Sequence, residues 1–141
     1  MATYTTYTDG SPTAAPDPGS ARSFPGHDVL VGTFNAANRN LAAADVVELI
    51  NIPAMTLVTN VAYETVTADA TQTLNVGDGA DPDGYVAAAD VGTAGNSGLG
   101  AGALAGGKLY TTADTIDLEV PATKAFDTLV VKVTASVVYL G

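Results

Sequence analysis

From Asp28 onward, apolar and polar residues alternate along several stretches of the chain, the two-residue period of a strand with one buried face. The C-terminal stretch is the cleanest. Leu129, Val131, Val133, Ala135, Val137 and Tyr139 fall on one side of such a strand; Thr128, Lys132, Thr134 and Ser136 fall on the other. Ile116, Leu118 and Val120 alternate with Asp117 and Glu119 in a second strand, ended by Pro121. Met55, Leu57, Val61 and Tyr63 share a face in a third, opposite Thr56, Asn60 and Glu64. Shorter strands are expected at 29–34, 72–76 and 108–111. The run 41–52 has alanines and an Asn40 cap that would suit a short helix. The β-branched residues of 46–52 before Pro53 favour a strand instead. About seven strands with no convincing helical period predict an all-β single domain, an antiparallel β-sandwich or jelly roll. Parallel pairing would need crossover helices, and no helical stretch is long enough to supply one.

Residues 1–26 break this pattern and read as an extended N-terminal arm on a 27–141 body. They hold four of the seven prolines (Pro12, Pro16, Pro18 and Pro25) together with Gly10, Gly19, Gly26 and many Thr and Ser. Proline fixes φ and pushes its predecessor toward extended geometry. With few large apolar side chains, the arm cannot offset its own ordering entropy and is expected to be mobile alone. Tyr4, Tyr7 and Phe24 give it aromatic anchors suited to docking on a neighbour. Two further segments are rich in turn formers. Residues 77–84 read Gly-Asp-Gly-Ala-Asp-Pro-Asp-Gly. Residues 92–107 contain seven glycines, and a structureless loop of that length in a compact domain is usually functional or flexible.

Composition narrows the function classes. The 141 residues are enough for one domain with a real core, although alanine inflates the 47% apolar fraction. The absence of Cys removes disulfides, thiolate metal sites and a cysteine nucleophile. A net charge of −10, from fifteen acids against Arg22, Arg39, Lys108, Lys124 and Lys132, argues against wrapping a nucleic-acid backbone. The N-terminal residues carry neither the basic cluster nor the apolar run of a signal peptide. No stretch approaches the roughly 18 apolar residues of a membrane helix. The expected product is soluble and made in a cytoplasm, with neither nucleic acid nor membrane as a partner.

The sharpest local chemistry is the acid cluster Asp78, Asp81 and Asp83. Closely spaced carboxylates among glycines are what calcium asks of a loop, but the spacing does not match the EF-hand and no bidentate Glu follows. Asp and Gly are also the best turn formers, and a structural turn is the reading taken here, with calcium as the alternative. His27 is the single histidine, so neither a triad nor a histidine zinc site can be assembled, and it reads as a junction residue. Gly98, Gly100 and Gly102 lack the Lys-Ser/Thr of a phosphate loop. Fifteen acids always offer a pair for glycoside hydrolysis, but they fall mostly at turns and on outward strand faces, where solvation accounts for them. No catalytic site and no cofactor is expected.

Several phrases taken in order resemble the capsid decoration (cement) proteins of tailed bacteriophages. They are Asp45-Val-Val-Glu-Leu-Ile-Asn-Ile-Pro-Ala54, Leu74-Asn-Val-Gly-Asp-Gly-Ala-Asp-Pro-Asp-Gly-Tyr85, Ala88-Ala-Asp-Val91, Tyr110-Thr-Thr-Ala-Asp-Thr-Ile-Asp-Leu118 and the closing 131–140 strand. The resemblance spans roughly residues 28–141, and the 92–107 segment is longer than that pattern leads one to expect. It implies a β-sandwich-like homotrimer that sits on the outer surface of the major capsid protein shell, as a virion component made in the host bacterial cytoplasm. Tyr4, Tyr7 and Phe24 would then contact the capsid or a neighbouring subunit. A different reading is a head-fibre or tail module that binds host-surface glycans through loop aromatics such as Tyr85 and Tyr110. The absence of Trp counts against it.

Overall fold

In the computed structural model, which describes residues 3–5, 26–69, 72–121 and 124–140, the long C-terminal alternation becomes a central strand. The strands in chain order are β1 (Thr3–Thr5), β2 (Gly26–Asn35), β3 (Val46–Ile52), β4 (Thr56–Thr67), β5 (Thr73–Gly77) and β6 (Val86–Asp90). They continue as β7 (Ser97–Leu99), β8 (Lys108–Tyr110), β9 (Asp114–Glu119) and β10 (Val130–Tyr139). One sheet has the order β1-β3-β9-β5-β6; the other has β2-β10-β4-β7, with β8 also paired to β4. This is an all-β sandwich. Among the described residues no helix is long and apolar enough to cross a membrane.

β10 pairs antiparallel with β2 on one side and β4 on the other over its whole length. Val131, Val133, Ala135, Val137 and Tyr139 are buried as the alternation requires. Full burial of a valine side chain contributes about 1.5–3 kcal/mol. The inner faces share one core in which Phe34, Leu49, Tyr85, Ile116 and Phe126 are essentially inaccessible. The sheets approach closely at Gly32 on β2, where a Cβ would lie 2.6 Å from Leu49 Cγ and 2.9 Å from Ile50 Cγ1. The ambiguous run 46–52 is strand β3, as its β-branching favours.

Three expectations need correction. The face assigned to Met55, Leu57, Val61 and Tyr63 is not a single face. The β4–β10 register steps from Val137↔Val58 to Ser136↔Asn60, leaving Thr59 as an extra residue. This bulge moves the buried set from Thr56 and Val58 to Val61, Tyr63 and Thr65. Met55 lies before the strand at φ 58° and is 41% exposed. Secondly, one pair is parallel: Thr3, Tyr4 and Thr5 run beside Val46, Val47 and Glu48 at the sheet edge. The described part of the link includes β2 in the opposite sheet.

Thirdly, 92–107 is not structureless. Within it β7 pairs with β4, Ala62 facing Leu99 and Glu64 facing Ser97. The Gly100 N–H donates to Val61 O at 2.7 Å, and the Ala101 and Gly102 N–H groups both donate to Tyr85 O at 3.0 Å. A Cβ on Gly102 would lie 2.4 Å from Gly84 O, so glycine is what lets the two backbones touch.

Candidate functional site

Two polar constellations stand out, both bordering the turn that follows β5. Gly77 ends that strand, and a Cβ there would lie 2.1 Å from Asp81 O; the chain therefore folds tightly back on itself. The turn closes with Asp78 N–H and Gly84 N–H both donating to Asp81 O, at 3.1 and 3.0 Å. Asp78 is 1% exposed. Its Oδ1 accepts the N–H groups of Ala80 and Asp81 at 3.1 and 2.9 Å. Its Oδ2 accepts Lys108 Nζ at 2.5 Å and the Tyr110 hydroxyl at 2.8 Å. The Tyr110 proton is thereby committed, so the buried Tyr85 hydroxyl, 2.8 Å away, donates to Tyr110. Lys108 Nζ also lies 4.6 Å from the Tyr110 ring centre.

The electrostatics follow from this closure. Burial alone would raise the Asp78 pKa, but the bonds from Lys108, Tyr110 and the Asp81 backbone outweigh it and hold the carboxyl below its ordinary value. Burial pushes Tyr85 up to about 12. Tyr110 is raised well above the usual phenol, by burial first and then by its bonds to Tyr85 and Asp78. The network holds one ion pair, Lys108 with Asp78, beside two neutral tyrosine hydroxyls, and is internally satisfied. Both oxygens of Asp78 are taken by four protein donors, so it acts as the knot of a turn. Asp81 and Asp83 remain at the surface of that turn; the Asp81 pKa is raised, by desolvation first and then by the Asp83 carboxyl. Among the described residues no group of three or more acidic or histidine side chains is arranged to hold a metal ion.

The second constellation lies on the outer face of β3 and β9. A cleft of about 390 Å³ is lined there by Glu48, Asp114, Thr115, Asp117 and Glu119, with Pro82 of the turn at its margin. Register places Glu48 directly across from Asp117, and Val46 across from Glu119. Like charges directly opposite destabilise a strand pair. Asp117 is 6% exposed and its pKa is pushed up to about 7, first by burial, then by Glu48, Asp114 and Asp78; the 2.6 Å bond from Thr115 Oγ1 opposes the rise. Glu119 accepts Asn75 Nδ2 at 3.2 Å. The cleft thus brings carboxylates together, one of them poised near neutrality, as glycoside hydrolysis would ask. Among the described residues, however, its lining includes no aromatic ring and no Lys, Arg, His, Asn or Gln to hold a sugar.

Solvation, expected for acids at turns and on outward strand faces, does not account for several of them. Asp45, Asp69, Asp78 and Asp117 are buried. Asp69 Oδ2 accepts the Asp127 and Thr128 N–H groups at 2.9 and 3.1 Å, and Asp45 Oδ2 accepts Ala42 N–H at 2.9 Å. These carboxylates secure turns by binding backbone donors. Tyr85 and Tyr110, offered as loop aromatics for a glycan, are 0% and 3% exposed, which removes them from any surface role. His27 is exposed on β2, across from Val138. Tyr4 lies in β1 with its backbone beside Val47. Tyr7 and Phe24 lie outside the described residues.

No family model matches the sequence, and no curated protein matches it. The fold is nonetheless similar to chains in three solved assemblies. A chain from the capsid of Ralstonia phage GP4 is 19% identical with a TM-score of 0.66, and the match covers 99% of both chains. One from the acidic stable capsid of Helicobacter pylori bacteriophage KHP30 is 17% identical with a TM-score of 0.57, covering 83% of this chain and 94% of that one. One from the capsid asymmetric unit of cyanophage Pam1 is 21% identical with a TM-score of 0.58, covering 90% and 92%.

Proposed function

We propose that this chain is a non-enzymatic structural protein of a tailed-phage virion, which binds the outer surface of the major capsid protein shell between capsomers and stabilises it. The observation that carries the reading is the end-to-end fold match to a chain of a phage capsid, covering 99% of each partner. The order of sequence phrases points the same way independently. The polar chemistry is consistent: the Asp78–Lys108–Tyr110–Tyr85 network spends its donors and acceptors inside the protein.

In this reading the body self-associates as a homotrimer on the shell, and the 1–26 arm, whose Thr3–Thr5 backbone also pairs with β3 of its own sheet, reaches the capsid or a neighbouring subunit through Tyr4, Tyr7 and Phe24. An arm that orders on docking meets its entropic cost at that moment. Presentation in threes raises its effective concentration at the shell. The test is co-sedimentation of the full chain, and of a form lacking residues 1–26, with purified heads stripped of surface proteins. The full chain is expected to pellet with heads at saturable stoichiometry and the truncated form to stay in the supernatant. Failure of the full chain to bind would remove the decoration reading. Full occupancy by the truncated form would remove the role given to the arm.

A further inference from the structure

The two outer faces of the sandwich differ sharply in charge. On the β3–β9 sheet the outward positions carry Glu48, Asp117 and Glu119. On the β2–β10–β4 sheet, register aligns two outward rows that are almost free of charge. One runs His27, Val138, Leu57, Leu109; the other runs Val31, Thr134, Ala62, Leu99. The acid among this sheet's outward strand positions is Glu64, and Lys132 stands directly across from it. Val29, Val31, Leu99 and Leu109 are 57%, 45%, 68% and 44% exposed, more aliphatic surface than a solvated sheet face needs.

We infer that this face is the contact by which one copy of the chain packs against the next, each turning its β2–β10–β4 face inward. Charge and dimensions select a second copy as the occupant. Every copy carries a charge of −10, so copies repel through any acidic surface. This face avoids that penalty, because its one acid is matched by one lysine and a second copy meets both signs. The dimensions also suit. Three strands of at least 10 residues, with the short β7 and β8 sharing the fourth place, present a footprint of roughly 550 Å² from spacings of about 4.8 Å between strands and 3.3 Å along them. Side-chain relief adds to that, bringing it to the order of the roughly 800 Å² per partner of a standard interface.

The inference rests on the self-association proposed above and adds the face that makes it. The experiment compares the solution mass of the full chain, by sedimentation equilibrium, with Val31→Glu, Leu99→Glu and a control, Ala87→Glu, on the other sheet. The wild type and Ala87→Glu should give the same multiple of 14.1 kDa. Val31→Glu and Leu99→Glu should each weaken association at least 100-fold while keeping the wild-type far-UV spectrum. Because the chain has no cysteine, Val31→Cys supplies a milder probe: its thiol should react at least tenfold more slowly in the oligomer than on dilution to monomer. An oligomer unaffected by the charged variants, with an equally reactive thiol, would overturn the face while leaving self-association standing. A wild-type chain that stays monomeric at high concentration would overturn both.

Discussion

Asp117→Asn should make the protein less sensitive to alkali, because it removes a carboxyl that the fold holds against its preference. The group's ordinary value is 3.8 and burial beside Glu48 and Asp114 raises it to about 7. Folded Asp117 therefore binds its proton more tightly than the unfolded chain does, and stability falls as pH rises from the unfolded toward the folded value. At about 1.4 kcal/mol for each pH unit between 3.8 and 7, the full penalty reaches about 4 kcal/mol above pH 8. Less than half of it is present at pH 5, which leaves a difference of about 2–3 kcal/mol between pH 5 and pH 8. Asparagine keeps the shape and still accepts the Thr115 hydroxyl, which bonds Oδ1 at 2.6 Å. The assay is urea unfolding of wild type and variant at pH 5, 6.5 and 8. The stability gap should shift in the variant's favour by about 2–3 kcal/mol from pH 5 to pH 8, with titrating groups distant from Asp117 cancelling in the comparison. A gap constant to within about 0.5 kcal/mol would refute the account, since an Asp117 that stays ionised at no cost is not held against burial.

Asp78 behaves in the opposite sense. Its carboxyl is held below 3.8, so its contribution is present above that pH and lost as pH falls through the folded value; acid titration should close the gap between wild type and Asp78→Asn below about pH 4. Tyr110→Phe leaves Asp78 Oδ2 and the Tyr85 hydroxyl each one partner short and should cost about 1–3 kcal/mol in denaturant unfolding. Thr56 Oγ1 is buried without a hydrogen-bond partner, so Thr56→Val should raise stability by about 1 kcal/mol, read as a higher melting temperature. Gly102→Ala forces a Cβ to within 2.4 Å of Gly84 O and should cost about 1–3 kcal/mol by the same measurement.

How much the sequence discloses depends on whether the information is local. β10 is legible because every second residue from Val131 to Tyr139 enters the core without interruption. β4 is misread because the extra residue at Thr59 reverses the phase, and nothing in Val-Thr-Asn-Val announces a bulge that β10 imposes. The parallel pairing of β1 joins segments some forty residues apart through hydrogen bonds that leave no pattern in either. Asp78 is recognisable as a turn residue, and its two backbone bonds fulfil that reading. Its partners Lys108 and Tyr110 are invisible beforehand, since they arrive from a strand beyond the glycine-rich segment. The Glu48–Asp117 opposition is hidden for the same reason: each acid looks like the solvated half of an alternating strand until register sets them face to face.

The ordered packing of 92–107 changes where foreign sequence can enter this protein. A glycine-rich stretch ordinarily invites a peptide insert for display, yet here Gly98, Gly100 and Gly102 are seams where a side chain would strike Tyr63, Val61 or Gly84. Gly106 differs, because a Cβ built there meets nothing within 4 Å. It precedes β8 at the rim of the segment, which makes it the point for grafting an epitope without unseating the glycines behind it.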